Sequence, residues 1–185
     1  RPVRLTVAGR TRTLRTDRRG YVDTMVDSEL APGWHTMHLA AGNGSGAEMP
    51  VRIIDPDEDF GVISDIDDTI ISTWMPRLLL AIWNSFFQLE GNRRAVPGMA
   101  RLYQRMLAEH PGAPIFYVST GPWSSIRFLE RFMTRHGFPP GAFLLTDWGP
   151  TRTEWVRSGT DHKRRTMAGL ARELPTIRWV LVGDD

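Results

Sequence analysis

Asp65, Asp67 and Asp68 follow an apolar run, Phe60-Gly61-Val62-Ile63, and Thr69 closes the group. The run reads as a buried strand, so three carboxylates arrive together at a strand end. Three negative charges in that space repel one another unless a cation or another positive group sits among them. A strand followed by Asp-x-Asp-x-Thr is the geometry of a metal-assisted phosphoryl-transfer site. One carboxylate attacks phosphorus, the second moves a proton, and a hard divalent ion such as Mg²⁺ takes their oxygens. Two blander readings compete. An EF-hand loop needs Gly at its sixth position and Glu at its twelfth, and counted from Asp65 those positions hold Ile70 and Pro76. A plain Asp-rich turn needs neither an apolar strand before it nor the alternation of the acids.

Three further features supply what such a site lacks. Of 23 Lys plus Arg, only Lys163 is a lysine. A chain that uses arginine wherever simple positive charge is enough keeps its one lysine where a compact, flexible point charge is needed. Lys163 lies in Thr160-Asp161-His162-Lys163-Arg164-Arg165, expected to open a helix with Asp161 as its cap. A strand over Ile177–Val182 delivers Gly183-Asp184-Asp185, a second set of acids. A strand over Ile115–Val118 ends in Ser119-Thr120-Gly121, with Pro122 suited to the first turn of a helix. Hydroxyls and free N–H groups at a helix N-terminus form a phosphate cradle.

In this order the motifs resemble the haloacid dehalogenase (HAD) superfamily. The flanking residues narrow the resemblance. Gly61-Val62-Ile63-Ser64-Asp65-Ile66-Asp67-Asp68-Thr69-Ile70, Val96-Pro97-Gly98-Met99, Phe116-Tyr117-Val118-Ser119 with Pro122-Trp123, and His162-Lys163-Arg164-Arg165 are similar to the actin-patch-protein type of phosphatidate phosphatase catalytic domain, a lipin-like DxDxT phosphatase. The resemblance covers residues 57–185. It implies that Asp65 is the nucleophile that becomes aspartyl-phosphate. Asp67 would protonate the leaving alkoxide and then activate water. Ser119 would bind the phosphoryl oxygens, and Lys163 would neutralise them and the nucleophile. Asp65, Asp67 through its backbone carbonyl, and Asp184 would hold Mg²⁺. Thr69 supports the loop and joins Thr120 and Gly121 on the substrate side. Asp68 and Asp185 are not assigned as ligands. The family pattern places a further acid a few residues beyond Gly-Asp-Asp, so the catalytic domain is expected to continue past Asp185.

The elements that must position these residues divide at Asp55-Pro56-Asp57-Glu58-Asp59, an acidic joint suited to a short linker. Residues 1–56 alternate in strand fashion over Val3–Val7, Thr11–Leu14, Tyr21–Val26, Trp34–Leu39 and Met49–Ile54, with turn signals between. They read as a small antiparallel β-sandwich-like accessory module. Its charges nearly cancel, with eight Arg against nine acids counted through Asp59. His35 and His38 invite zinc, but residues three apart on a strand face opposite sides. Residues 57–185 read as α/β, with strands near 60–65, 114–119, 143–147 and 177–182 and helices near 76–89, 98–109, 122–136 and 161–173. That alternation gives a HAD-like Rossmannoid parallel sheet with helices on both faces, its acids at strand carboxyl ends.

The helix over 76–89 is apolar around most of its circumference, from Leu78 to Leu89. It reads either as a buried helix or as a cap that meets lipid, with Trp74 and Trp83 at the headgroup boundary. It is too short to span a bilayer. Arg93 and Arg94 lie beside it near the expected mouth, placed to grip a phosphate oxygen. Arg127, Arg131 and Arg135 recur at helical spacing, which gives a solvated face or a contact with anionic headgroups.

Hydrophobic residues make up 41% of the 185, enough for a sizeable core. Cysteine is absent, so disulfides are excluded. Net charge is only +2, and no aromatic-plus-basic single-strand motif occurs, which argues against a nucleic-acid partner. The expected activity is a Mg²⁺-dependent phosphatase acting on phosphatidate, cytoplasmic or peripheral at a membrane, with no stable protein partner. The same chemistry on a soluble phosphomonoester is the first alternative. A non-catalytic lipid- or phosphate-binding module is the second, and the intact Asp65, Asp67, Lys163 and Asp184 argue against it.

Overall fold

The computed structural model describes residues 1–67, 69–72, 94–146 and 155–184. The chain divides into two compact units, Arg1–Pro56 and Asp57–Asp185.

In the first unit, β1 (Pro2–Val7), β2 (Arg10–Arg15), β3 (Gly33–Ala41) and β4 (Gly46–Ile53) form one antiparallel sheet in the order β2-β1-β3-β4. This corrects the expected sandwich: a single sheet is present, and Tyr21–Val26 is not a strand. Leu5, Val7 and Met37 form the core of the unit, and Val26 and Leu30 pack on it from the segment before β3. That irregular segment covers apolar surface that a second sheet would otherwise cover. Its start is curled by Asp17, whose Oδ1 accepts the N–H groups of Arg19 and Tyr21, both at 2.9 Å. Tyr21, Val22 and Met25 are all exposed, so apart from Val26 the apparent alternation has no packed face to serve. His35 hydrogen-bonds through Nε2 with the Ala31 carbonyl at 2.7 Å, while His38 Nδ1 lies 3.5 Å from Glu48, so the two rings have separate partners.

The second unit carries a parallel sheet of β5 (Phe60–Asp65), β8 (Ile115–Pro122), β9 (Ala142–Thr146) and β10 (Arg178–Val182), ordered β10-β5-β8-β9. A small antiparallel ribbon joins β6 (Ile71–Ser72) to β7 (Arg94–Ala95). The helices are α1 (Met99–Glu109), α2 (Ile126–Arg135) and α3 (Trp155–Glu173), and a 3₁₀ turn over Trp123–Ser125 precedes α2. The helix expected over 76–89 lies outside the described residues.

Strand alternation sorts the apolar residues of this sheet into two cores. Val62, Ile115 and Tyr117 face one side and meet Tyr103 of α1 and Phe128, Leu129, Phe132 and Met133 of α2. Ile63 and Val118 face the other side and meet Leu170 of α3, with Met167 and Trp179 packed against them. Helices therefore cover both faces. Two glycines permit the packing. Gly98 turns into α1 at φ +86°, a conformation costly for any residue with a Cβ. A Cβ on Gly61 would lie 2.5 Å from the Trp179 ring, so β5 must be bare where the indole crosses it.

The strand order sets where a ligand binds. Successive strands run from β5 to β8 to β9 in one direction, and β10 then returns to the far side of β5. The order reverses between β5 and β10. Open α/β sheets bind ligands outside the strand carboxyl ends at such a reversal.

Candidate active site

Asp65 is the last residue of β5, at the reversal point. Strand alternation places it with Gly61 and Ile63 on the face covered by α3. On α3, Lys163 heads the stripe that continues through Met167 and Leu170, which pack on the same face. The helical repeat thus carries Lys163 over the end of β5, and its ammonium pairs directly with Asp65 Oδ2. The other carboxylate oxygen accepts the Ile66 N–H at 2.9 Å. Burial pushes the Asp65 carboxyl above its ordinary range. Lys163 opposes that rise, and the neighbouring Asp67 charge adds to it.

After Asp65 the chain turns tightly. The Ile66 carbonyl accepts the N–H groups of Ile70 at 3.0 Å and Ile71 at 3.1 Å, and all three isoleucine side chains are buried. These anchors raise Asp67 toward β8. Ser119, fully buried there, donates its hydroxyl hydrogen to Asp67 Oδ2 at 2.9 Å and accepts the Gly121 N–H at 2.9 Å. Thr69 is also buried, and its hydroxyl has no hydrogen-bond partner among the described residues. Such an orphaned hydroxyl is costly unless something else satisfies it.

The expected phosphate cradle after Ser119 is corrected in form. β8 runs on through Pro122, and the 3₁₀ turn intervenes before α2. The Thr146 hydroxyl holds this stretch extended, reaching the carbonyls of Thr120 at 2.7 Å and Gly121 at 3.2 Å. Thr120 and Gly121 therefore flank Ser119 on a strand end. The expected cap of α3 is corrected too: the helix begins at Trp155, so Asp161 lies inside it and does not start it.

Asp65 with Lys163 and Asp67 with Ser119 thus form two pairs, and the Asp67 charge is felt at Asp65. Asp184 follows β10 and is exposed. Its neighbour Gly183 lies against Asp65, since a Cβ built on that glycine would sit 3.8 Å from the Asp65 Cβ. Arg93, Asp68 and Asp185 lie outside the described residues. No group of three or more His, Cys, Asp or Glu able to hold a metal occurs among the described residues. A set of two carboxylates and a backbone carbonyl would not form such a group. Its donors are hard oxygens of the kind Mg²⁺ takes, so the residues present fit the ion by chemistry.

Two buried polar positions beside the site escape a reading of motifs alone. Ser64 and Tyr103 are fully buried, and their hydroxyl oxygens lie 2.6 Å apart beneath Asp65. Burial pushes the Tyr103 hydroxyl above its usual range, so it stays protonated. Ser64 had a signal in the sequence, as the one polar residue within the run from Phe60 to Ile63 and on to the acids.

Among the described residues, no helix is long and apolar enough to cross a membrane. A comparison with curated proteins finds no match. The family model described as phosphatidate phosphatase APP1, catalytic domain, matches residues 60–185, which take in β5 through β10 and the whole assembled edge. The chain therefore belongs to the phosphatidate phosphatase APP1 catalytic-domain family.

Proposed function

We propose that this chain hydrolyses a phosphomonoester through an aspartyl-phosphate intermediate on Asp65, with phosphatidate as substrate and diacylglycerol and phosphate as products. Family membership supports the phosphatase chemistry and the phosphorylated lipid. The observation that carries the reading is the pairing of Asp65 with the chain's one lysine, beside an Asp67 that is held by Ser119.

The chain's residues divide the work as follows. Asp65 keeps an unused lone pair on each oxygen beyond its bonds to Lys163 and Ile66, and one of these attacks phosphorus. The bond from phosphorus to the glycerol oxygen breaks, and the leaving oxygen takes a proton from Asp67. In the second step Asp67 removes a proton from water as that water attacks phosphorus. The acyl-phosphate bond breaks, and the Asp65 carboxylate is restored. Lys163 offsets negative charge on Asp65 and on the phosphoryl oxygens, and Ser119 offers them its hydroxyl. Asp65, the Asp67 carbonyl and Asp184 would hold Mg²⁺, which when bound neutralises phosphoryl charge and orients the group. The exposed arginines of α2 suit an anionic lipid surface, on which the chain would act as a peripheral protein.

The test is Mg²⁺-dependent phosphate release from phosphatidate in mixed micelles and from a soluble aryl phosphate, with wild type and Asp65→Asn. Release from both substrates that disappears in the variant supports the covalent mechanism. A higher kcat/KM on phosphatidate supports the lipid substrate. Phosphate release that survives in Asp65→Asn would sink the aspartyl-phosphate route.

A further inference from the structure

Beneath the nucleophile lies a pair of hydroxyls that the chemistry above does not use. Ser64 Oγ is 2.7 Å from the backbone carbonyl of Asp65 and 2.6 Å from the Tyr103 hydroxyl. Ser64 and Tyr103 are both fully buried, in the core between β5 and α1. The direction of the hydrogen bonds follows from counting protons. A carbonyl only accepts, so Ser64 uses its one hydrogen on Asp65. Ser64 then accepts from Tyr103. If the Ser64 hydrogen pointed to Tyr103 instead, the Asp65 carbonyl would lose this donor, and the tyrosine hydrogen would have no acceptor among the described residues. A buried polar group left unpaired is costly, so the first arrangement is the stable one.

Position also matters. Val62, two residues earlier on the same face of β5, is apolar and packs in the same core. An apolar side chain would fill the Ser64 site with no polar group to satisfy. The hydroxyl pair occurs at the residue of β5 directly before the nucleophile, where it reaches the peptide that leaves it. That peptide's N–H, on Ile66, also donates to Asp65 Oδ1 at 2.9 Å. The carbonyl and the N–H of one peptide plane are therefore both tied, the first by Ser64 and the second by the attacking side chain together with the Val118 carbonyl at 3.2 Å.

We infer that Tyr103 and Ser64 are positioning residues, a relay from α1 that fixes the Asp65–Ile66 peptide and so the direction in which the Asp65 carboxylate points. The inference rests on Asp65 being the nucleophile. Near-attack geometry is steep in distance, and small misplacements from groups outside the chemistry cost rate. The relay acts on the orientation of Asp65 and leaves the phosphate-binding groups Lys163 and Ser119 in place. Its loss therefore lowers kcat and spares KM.

The experiment uses Tyr103→Phe, Ser64→Ala and the double variant of the whole chain. kcat and KM are measured on a soluble aryl phosphate, and amide exchange is followed at Ile66 and at residues of α2. Tyr103→Phe removes one oxygen and keeps the ring packing. The expected result is a kcat lowered about tenfold with KM within about twofold of wild type. Exchange at Ile66 is expected to quicken while α2 stays protected. The double variant is expected to fall no further than Ser64→Ala, because both act in one chain of bonds. Native kcat in a folded Tyr103→Phe would overturn the relay, and so would losses that multiply in the double variant. Exchange at Ile66 reads the relay without turnover. Unchanged Ile66 protection in both single variants overturns it even if wild type releases no phosphate, whereas quickened exchange with no wild-type turnover counts against the proposed activity alone.

Discussion

Ser119 donates its hydroxyl hydrogen to Asp67 at 2.9 Å, tying the end of β8 to the loop that follows β5. A serine hydroxyl carries one hydrogen. It cannot bond Asp67 and a phosphoryl oxygen at the same time. On the proposed mechanism, substrate arrival would exchange one acceptor for the other. Ser119→Ala is expected to lower kcat/KM about 100-fold, the scale of losing one donor to developing negative charge. Steady-state kinetics on the aryl phosphate checks this, and a loss under threefold would count against Ser119 as a phosphoryl contact.

Lys163 is expected to be irreplaceable, even by arginine. Lys163→Met leaves the largely buried Asp65 without its ion-pair partner, and activity should fall by more than about 1,000-fold on the scale of lost electrostatic stabilisation. Lys163→Arg keeps the charge but brings a broad planar head where a point charge fits, so it should recover only a small part of the rate. Comparing the two variants in one assay separates charge from shape.

The raised pKa of Asp65 has a sign that can be tested. A carboxyl raised on folding favours the protonated form in the folded state. Its contribution to stability is present below the unfolded pKa and is lost as pH rises through the folded one. Asp65→Asn should therefore melt higher than wild type at neutral pH in metal-free buffer. The advantage should vanish at pH values below the ordinary aspartate range. Thermal unfolding across that range checks it, and a variant less stable at neutral pH contradicts it.

Gly61→Ala is expected to destabilise the second unit, because its Cβ would lie 2.5 Å from the Trp179 ring. Overpacking of this kind typically costs about 1–3 kcal/mol. Urea unfolding measures the loss, and Gly61→Ala combined with Trp179→Leu should recover part of it.

Arg127, Arg131 and Arg135 are exposed along α2, opposite the buried Phe128, Leu129, Phe132 and Met133. Replacing all three with Gln should weaken sedimentation with anionic vesicles, at about 1 kcal/mol for each charge near the surface. Turnover of the soluble aryl phosphate should stay unchanged. Equal vesicle binding by variant and wild type would show that this face is only solvated.

Much of the second unit was legible because its signals were local. Apolar runs ended in acids or hydroxyls, and helical stripes alternated with them. The strand order was not legible, and it is what makes Asp65 and Gly183 neighbours. The start of α3 was misplaced because Asp161 has the chemistry of a cap, and no local signal says that the helix has already begun at Trp155. The first unit misled for a related reason. Tyr21–Val26 alternates like a strand, but alternation reports a strand only where one face is packed, and Met25 is open to solvent. Tyr103 sits in a helix stripe that reads as plain core. Its hydroxyl acquires a purpose only when α1 is laid on β5 opposite Ser64, a contact between residues 39 positions apart.

The strand order has a consequence for how the chain comes to life on the ribosome. Lys163 is 98 positions beyond Asp65, and β10, which brings Gly183 beside that carboxylate, is the last of the described strands. A growing chain that has already formed β5 and β8 holds the nucleophile and Ser119 but neither the lysine nor the second acid. On the proposed mechanism such a chain would be inert toward phosphate esters. Hydrolytic competence would wait until β10 inserts on the far side of β5, and turnover would itself report that the sheet has closed in this order.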